Sequence, residues 1–131
     1  MTPAARRLLD CRNRPAGAQA GTKEELGVAT APHVTHFKIR AKPGERQQVI
    51  DLFDLWFRDR RPAAHGFVRA ELSSNVNDPD EFMAVACFAD KKTYDANSNN
   101  PEQNAWYERL RSHLVADPEW FDGTLERQRV G

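Results

Sequence analysis

The chain has 131 residues, with 19 basic side chains balanced by 19 acidic ones, 29% charged and 40% hydrophobic. That length suits one domain of about 100 residues plus an extension. A formal net charge of zero supplies no field to gather polyanions, which argues against nucleic-acid binding. No apolar run approaches the roughly 20 residues of a bilayer span, so a membrane role is not expected.

Residues 1–32 read as a flexible tail: Gly, Pro and charged residues are interspersed, and the few large apolar side chains keep no period. A domain is expected over 33–131. The two cysteines, Cys11 and Cys87, stand in dissimilar contexts, one in this tail and one in an apolar run. A disulfide between them is not expected, and a reducing cytoplasm is the expected location.

HVTHFKIRAK (His33 to Lys42) alternates Phe37, Ile39 and Ala41 against Val34, His36, Lys38 and Arg40, which predicts a strand ending at Pro43-Gly44. Glu45 to Arg60 carries Val49, Leu52, Phe53, Trp56 and Phe57 at helical spacing and stops before Pro62. After Gly66, FVRAELSSN predicts a second strand, and NVNDPD connects it to EFMAVACFA (Glu81 to Ala89) as a hairpin. Asp90 to Asn97 suits a short helix. Asn100 then caps a segment whose first helical residue is Pro101 and whose stripe is Trp106, Leu110 and Leu114. A final strand is expected at TLERQRV, 124–130.

This order, βαββαβ, predicts an α+β, ferredoxin-like fold with a four-stranded antiparallel sheet, first and third strands central and both helices on one face. EFMAVACFA is apolar on both alternating faces: Phe82, Ala84, Ala86 and Phe88 on one, Met83, Val85, Cys87 and Ala89 on the other. Two helix-sized segments cannot roof both sides of a sheet. The second face is therefore expected to meet a second copy, giving a homodimer closed by a two-fold axis.

KPGERQQVIDLF, AAHGFVRAELSSNVNDPDEFMAVACFADKKTYDANSNNPEQNAWYERL and the DPEWFDG turn together resemble the antibiotic biosynthesis monooxygenase domain of the dimeric α/β-barrel superfamily, over about residues 33 to 130. The resemblance implies a homodimeric barrel with a pocket between each sheet and its helices. Its members include cofactor-independent oxygenases of aromatic polyketides and quinols, and haem-degrading enzymes. The haem-degrading members carry an Asn, a Trp and a His where this chain has Phe37, Phe88 and Tyr107, so haem degradation is not the expected activity.

The expected activity is cofactor-independent oxidation of a small aromatic quinol, anthrone or polyketide-like molecule, with no cofactor and no metal ligand set. A substrate of this kind is activated by deprotonation, so the protein needs an apolar cavity and a group that stabilises an anion. Tyr107, Asn104 and His36 are the candidate catalytic residues. Phe37, Phe53, Phe57, Phe88 and Tyr94 are the candidate substrate-binding ones. The competing reading is a non-catalytic homodimer that binds a hydrophobic molecule or serves as an interaction module. An interior filled by Phe37, Phe53, Phe88 and Trp106 favours that second reading, whereas an open cavity of roughly 300 Å³ favours the first.

Overall fold

A computed structural model of the protein describes residues 31–131, so all but the end of the expected tail lies outside the described residues. Strand β1 (His33–Arg40) passes through Pro43 and Gly44 into helix α1 (Arg46–Leu55). Gly44 takes φ +81°, a left-handed turn that a Cβ would strain. The regular helix does not run on to Arg60 as its apolar spacing predicts. A π turn, Trp56–Arg60, and a 3-10 turn, Arg61–Ala63, finish it, with Pro62 absorbed in the second. Such π turns recur at functional sites, and here Trp56 and Arg60 are both buried.

Strands β2 (Phe67–Asn75) and β3 (Asp78–Phe88) form the expected hairpin, closed by Val76 and Asn77 alone, so β3 begins at Asp78 rather than Glu81. Helix α2 (Lys91–Ser98) is capped by Asp90, whose carboxylate accepts from Thr93 N at 2.9 Å. Helix α3 (Pro101–Arg111) is capped by Asn100, which accepts from Glu102 N at 2.8 Å, and starts on Pro101 as predicted. It stops at Arg111 because the following residues drop to the sheet: Leu114 bridges Ala41, and Val115 N donates to Arg40 O at 3.0 Å. Strand β4 is Glu119–Thr124, earlier than the predicted 124–130. The shift sets Trp120 opposite Phe37, where its ring packs at 4.7 Å, and a later register would forfeit that burial.

The sheet order is β2-β3-β1-β4 with every pairing antiparallel, so the fold is the α+β, ferredoxin-like arrangement expected. Phe37, Ile39, Phe82, Ala84, Ala86 and Phe88 face Val49, Leu52, Trp56, Trp106 and Leu110 in one buried core. Trp106 Nε1 donates to Leu52 O at 2.7 Å, which ties α3 to α1. Gly66 holds φ +85°, and a Cβ there would strike the side chain of Thr93, so the chain entering β2 lies directly against α2.

On the other sheet face, Met83 is 43% and Phe121 64% exposed, with His36 and Phe121 ring centroids 5.8 Å apart. Cys87 also faces this side, buried beside Val68 and Leu125. It is disulfide-bonded, contrary to the expected free thiol, and the chain's other cysteine, Cys11, is outside the described residues. No helix among the described residues is long and apolar enough to cross a membrane.

Candidate functional site

Strand alternation carries the site. His33, Thr35 and Phe37 point from β1 towards the helices, and Trp120 and Asp122 do the same from the edge strand β4, with Thr35 opposite Asp122 and Phe37 opposite Trp120. His33 Nε2 lies 3.2 Å from Asp122 Oδ1. With the carboxylate ionised, Nε2–H donates and Nδ1 is left as the basic nitrogen. His33 is buried while the Asp122 side chain is about half exposed (47%), so the pair reaches from the interior to solvent.

The Tyr94 ring, from α2, stacks on the His33 imidazole at 4.3 Å and meets Phe88 edge-on at 5.6 Å. Burial, and next the charge of Asp122, push its phenol up to about 12. Tyr94 is therefore a neutral hydroxyl at physiological pH, suited to donating a hydrogen bond. From α3, Tyr107 packs against Trp120 at 6.2 Å, half-buried, and its phenol is raised by burial and then by Asp117. Two tyrosines thus overlie the same edge, one beside Asp122 and one beside Trp120.

The chain contains two tyrosines, so Tyr107→Phe leaves Tyr94 as the sole phenol. Its tyrosinate absorbance is expected to appear near pH 12. The fold prefers the neutral phenol, so its stabilising contribution is complete below pH 10 and disappears between about pH 10 and 12. A rise from the ordinary phenol value to that level corresponds to roughly 2–3 kcal/mol. Denaturant melts across that range, with Tyr94→Phe as control, measure it; an ordinary titration near pH 10 contradicts the buried placement.

The structure divides the sequence-predicted site residues. Tyr94 and Tyr107 come to the β4 edge. Phe37, Phe53 and Phe88 are in the helix-facing core: Phe53 stacks on Phe37 at 6.2 Å and meets Trp106 edge-on at 5.4 Å. Phe57 is partly exposed, under Arg61, whose guanidinium lies 4.4 Å from its ring centroid. Asn104 is solvent-exposed on α3, and His36 is on the opposite face of the sheet with a buried, unpartnered Nδ1. Tyr107, Asn104 and His36 are consequently not brought together within one chain.

The interior between sheet and helices is filled by the rings of Phe37, Phe53, Phe88 and Trp106. The described residues line a groove of about 330 Å³ on the outer side of α1 and α3, and a recess of about 210 Å³ beside Met83. Neither is lined by those rings. No group of three His, Cys, Asp or Glu side chains placed to hold a metal occurs among the described residues. His33 and Asp122 were absent from the sequence candidates, although the alternation anchored at Phe37 already sends residue 33 inward.

This arrangement, a ferredoxin-like sheet with polar and aromatic residues gathered between one face and its helices, defines a class of small α+β domains. Residues 32–109 match the family described as antibiotic biosynthesis monooxygenase, and the chain belongs to that family. No curated protein matches it by sequence. Among solved structures, a candidate antibiotic biosynthesis monooxygenase from Nitrosomonas europaea aligns with a TM-score of 0.65 at 11% identity, covering 75% of this chain and 93% of that one. Rv0793 from Mycobacterium tuberculosis aligns at 0.66 and 13% identity, covering 76% and 100%. A conserved protein from Methanosarcina mazei Go1 aligns at 0.65 and 13%, covering 72% and 93%. These likenesses show the fold.

Proposed function

We propose that the protein is a homodimeric, cofactor-independent monooxygenase that oxidises a small, single-ring phenol or quinol at the β4 edge. The observation that carries this reading is the His33–Asp122 pair beside the neutral, stacked Tyr94. Asp122 holds the imidazole so that His33 Nδ1 takes the phenolic proton, and Tyr94 O–H donates to oxygen charge as it develops. Dioxygen then delivers one atom to the ring carbon and the other leaves as water. The ring supplies all four electrons in becoming a quinone, so no external reductant enters. Tyr107 and Trp120 would form the wall against which the ring lies, with Tyr107 the second candidate donor to its oxygen.

Family membership supports the reaction class, and the filled interior favours one ring over a polycyclic substrate. The open face with Met83 and Phe121 supports the dimer, in which His36 would be an interface residue. The same filled interior also favours the second reading, a non-catalytic dimer. Aerobic incubation with a panel of monocyclic phenols and quinols decides between them. Oxygen uptake that produces quinone supports the oxygenase, and a flat trace across the panel, with saturable ligand binding, supports the binding module.

A further inference from the structure

Where the π turn, α2 and α3 meet, three polar side chains are shut inside: Arg60 is 8%, Asn97 6% and Gln103 0% exposed. Trp56 Nε1 donates to Gln103 Oε1 at 2.6 Å, and Arg60 Nε donates to the same oxygen at 3.4 Å. Arg60 Nη2 donates to Asn97 Oδ1 at 3.4 Å. These bonds fix both amides, because turning either one over would set N–H against N–H. Their other ends, Asn97 Nδ2 and Gln103 Nε2, are fully buried without a partner. The corner therefore has surplus donors and a fixed positive charge, and it is short of acceptors.

One acceptor stands at the entrance. Glu102 Oε1 is 3.3 Å from Arg60 Nη1, yet its side chain is 81% exposed. Among the described residues it is the carboxylate that pairs with this guanidinium, and it reaches in from solvent.

We propose that this corner is a binding site for a small carboxylate, with Arg60 as its charge partner, Asn97 and Gln103 as amide donors to its oxygens, and Glu102 as the resident competitor it displaces. One guanidinium matches one negative charge, and its planar fork suits a carboxylate's two oxygens. Two amide N–H groups complete the set of donors. The burial of the donors restricts the ligand to a narrow head group, of formate or acetate size. This site is separate from the His33–Asp122 pair and does not depend on the oxygenase reading.

The test is a titration of the intact protein with sodium formate and sodium acetate, against sodium chloride at matched ionic strength. The side-chain amide NMR signals of Asn97 and Gln103 are the readout. Saturable shifts with the carboxylates and none with chloride are expected. Glu102→Gln removes the competitor and should tighten binding about fivefold, the equivalent of ~1 kcal/mol for an exposed pair. Arg60→Met should abolish binding, and Arg60→Lys, which keeps the charge and loses the fork, should weaken it. If Arg60→Met fails to fold, Glu102→Gln and Arg60→Lys decide. The proposal is overturned by an absence of saturable shifts, by equal shifts with chloride, or by unchanged affinity in Glu102→Gln.

Discussion

Phe37→Ala is expected to remove about 3–5 kcal/mol of folding stability, the range for deleting a fully buried aromatic ring. Phe37 is 1% exposed on a central strand, and its ring touches Phe53 from α1 and Trp120 from β4. Removing it breaks contacts on two elements at once, and the rigid rings around it cannot collapse into the space. Since a domain of this size holds only about 5–15 kcal/mol in total, the variant should be near its unfolding threshold at room temperature. Urea denaturation monitored by tryptophan fluorescence gives the number. A loss below about 1 kcal/mol would mean that Phe37 borders an adaptable cavity instead of a packed core.

His33→Ala is expected to lower oxygen uptake with a responsive phenol by about 10²- to 10⁴-fold, the usual contribution of a positioned general base. Asp122→Asn should lower it less. The amide still accepts from Nε2–H but no longer stabilises the imidazolium that proton transfer creates. The two variants separate from a structural loss in their kinetics: removing a base or the group that positions it lowers kcat, whereas a merely disturbed binding edge raises KM with kcat unchanged. Equal turnover in His33→Ala and the parent would remove His33 from the mechanism.

Period-2 and period-3.6 patterns made most of the fold legible. β1, β2 and the Asn100–Pro101 start of α3 stand where alternation and capping chemistry place them. The misplacements were at the ends of elements, where tertiary contacts override local preference. TLERQRV alternates well enough to look like a strand, but Trp120 needs the place opposite Phe37, and that pairing draws the strand towards the N-terminus. Leu114 extends the helical stripe of Trp106 and Leu110, yet it bridges to Ala41.

The site was less legible. Tyr94 and Tyr107 are legible as candidates because an aromatic residue on a helix is visible in one dimension. His33 and Asp122 are 89 residues apart, and only the β1–β4 register shows that they meet. Gln103, which is buried while Asn104 is exposed, carries a signal in the sequence: counting back from Trp106 and Leu110 at helical spacing points to 103 as the inward residue, and a polar side chain on an apolar stripe marks a buried hydrogen-bonding position.

The exposed part of the outer sheet face, at Met83 and Phe121, also bears on how the protein behaves in a test tube. If two copies share Met83 and Phe121, folding and association become one equilibrium, so the melting temperature should climb with protein concentration. Dilution would then act on this chain as a mild denaturant. A charge placed at residue 121 would make the melt independent of how much protein is loaded.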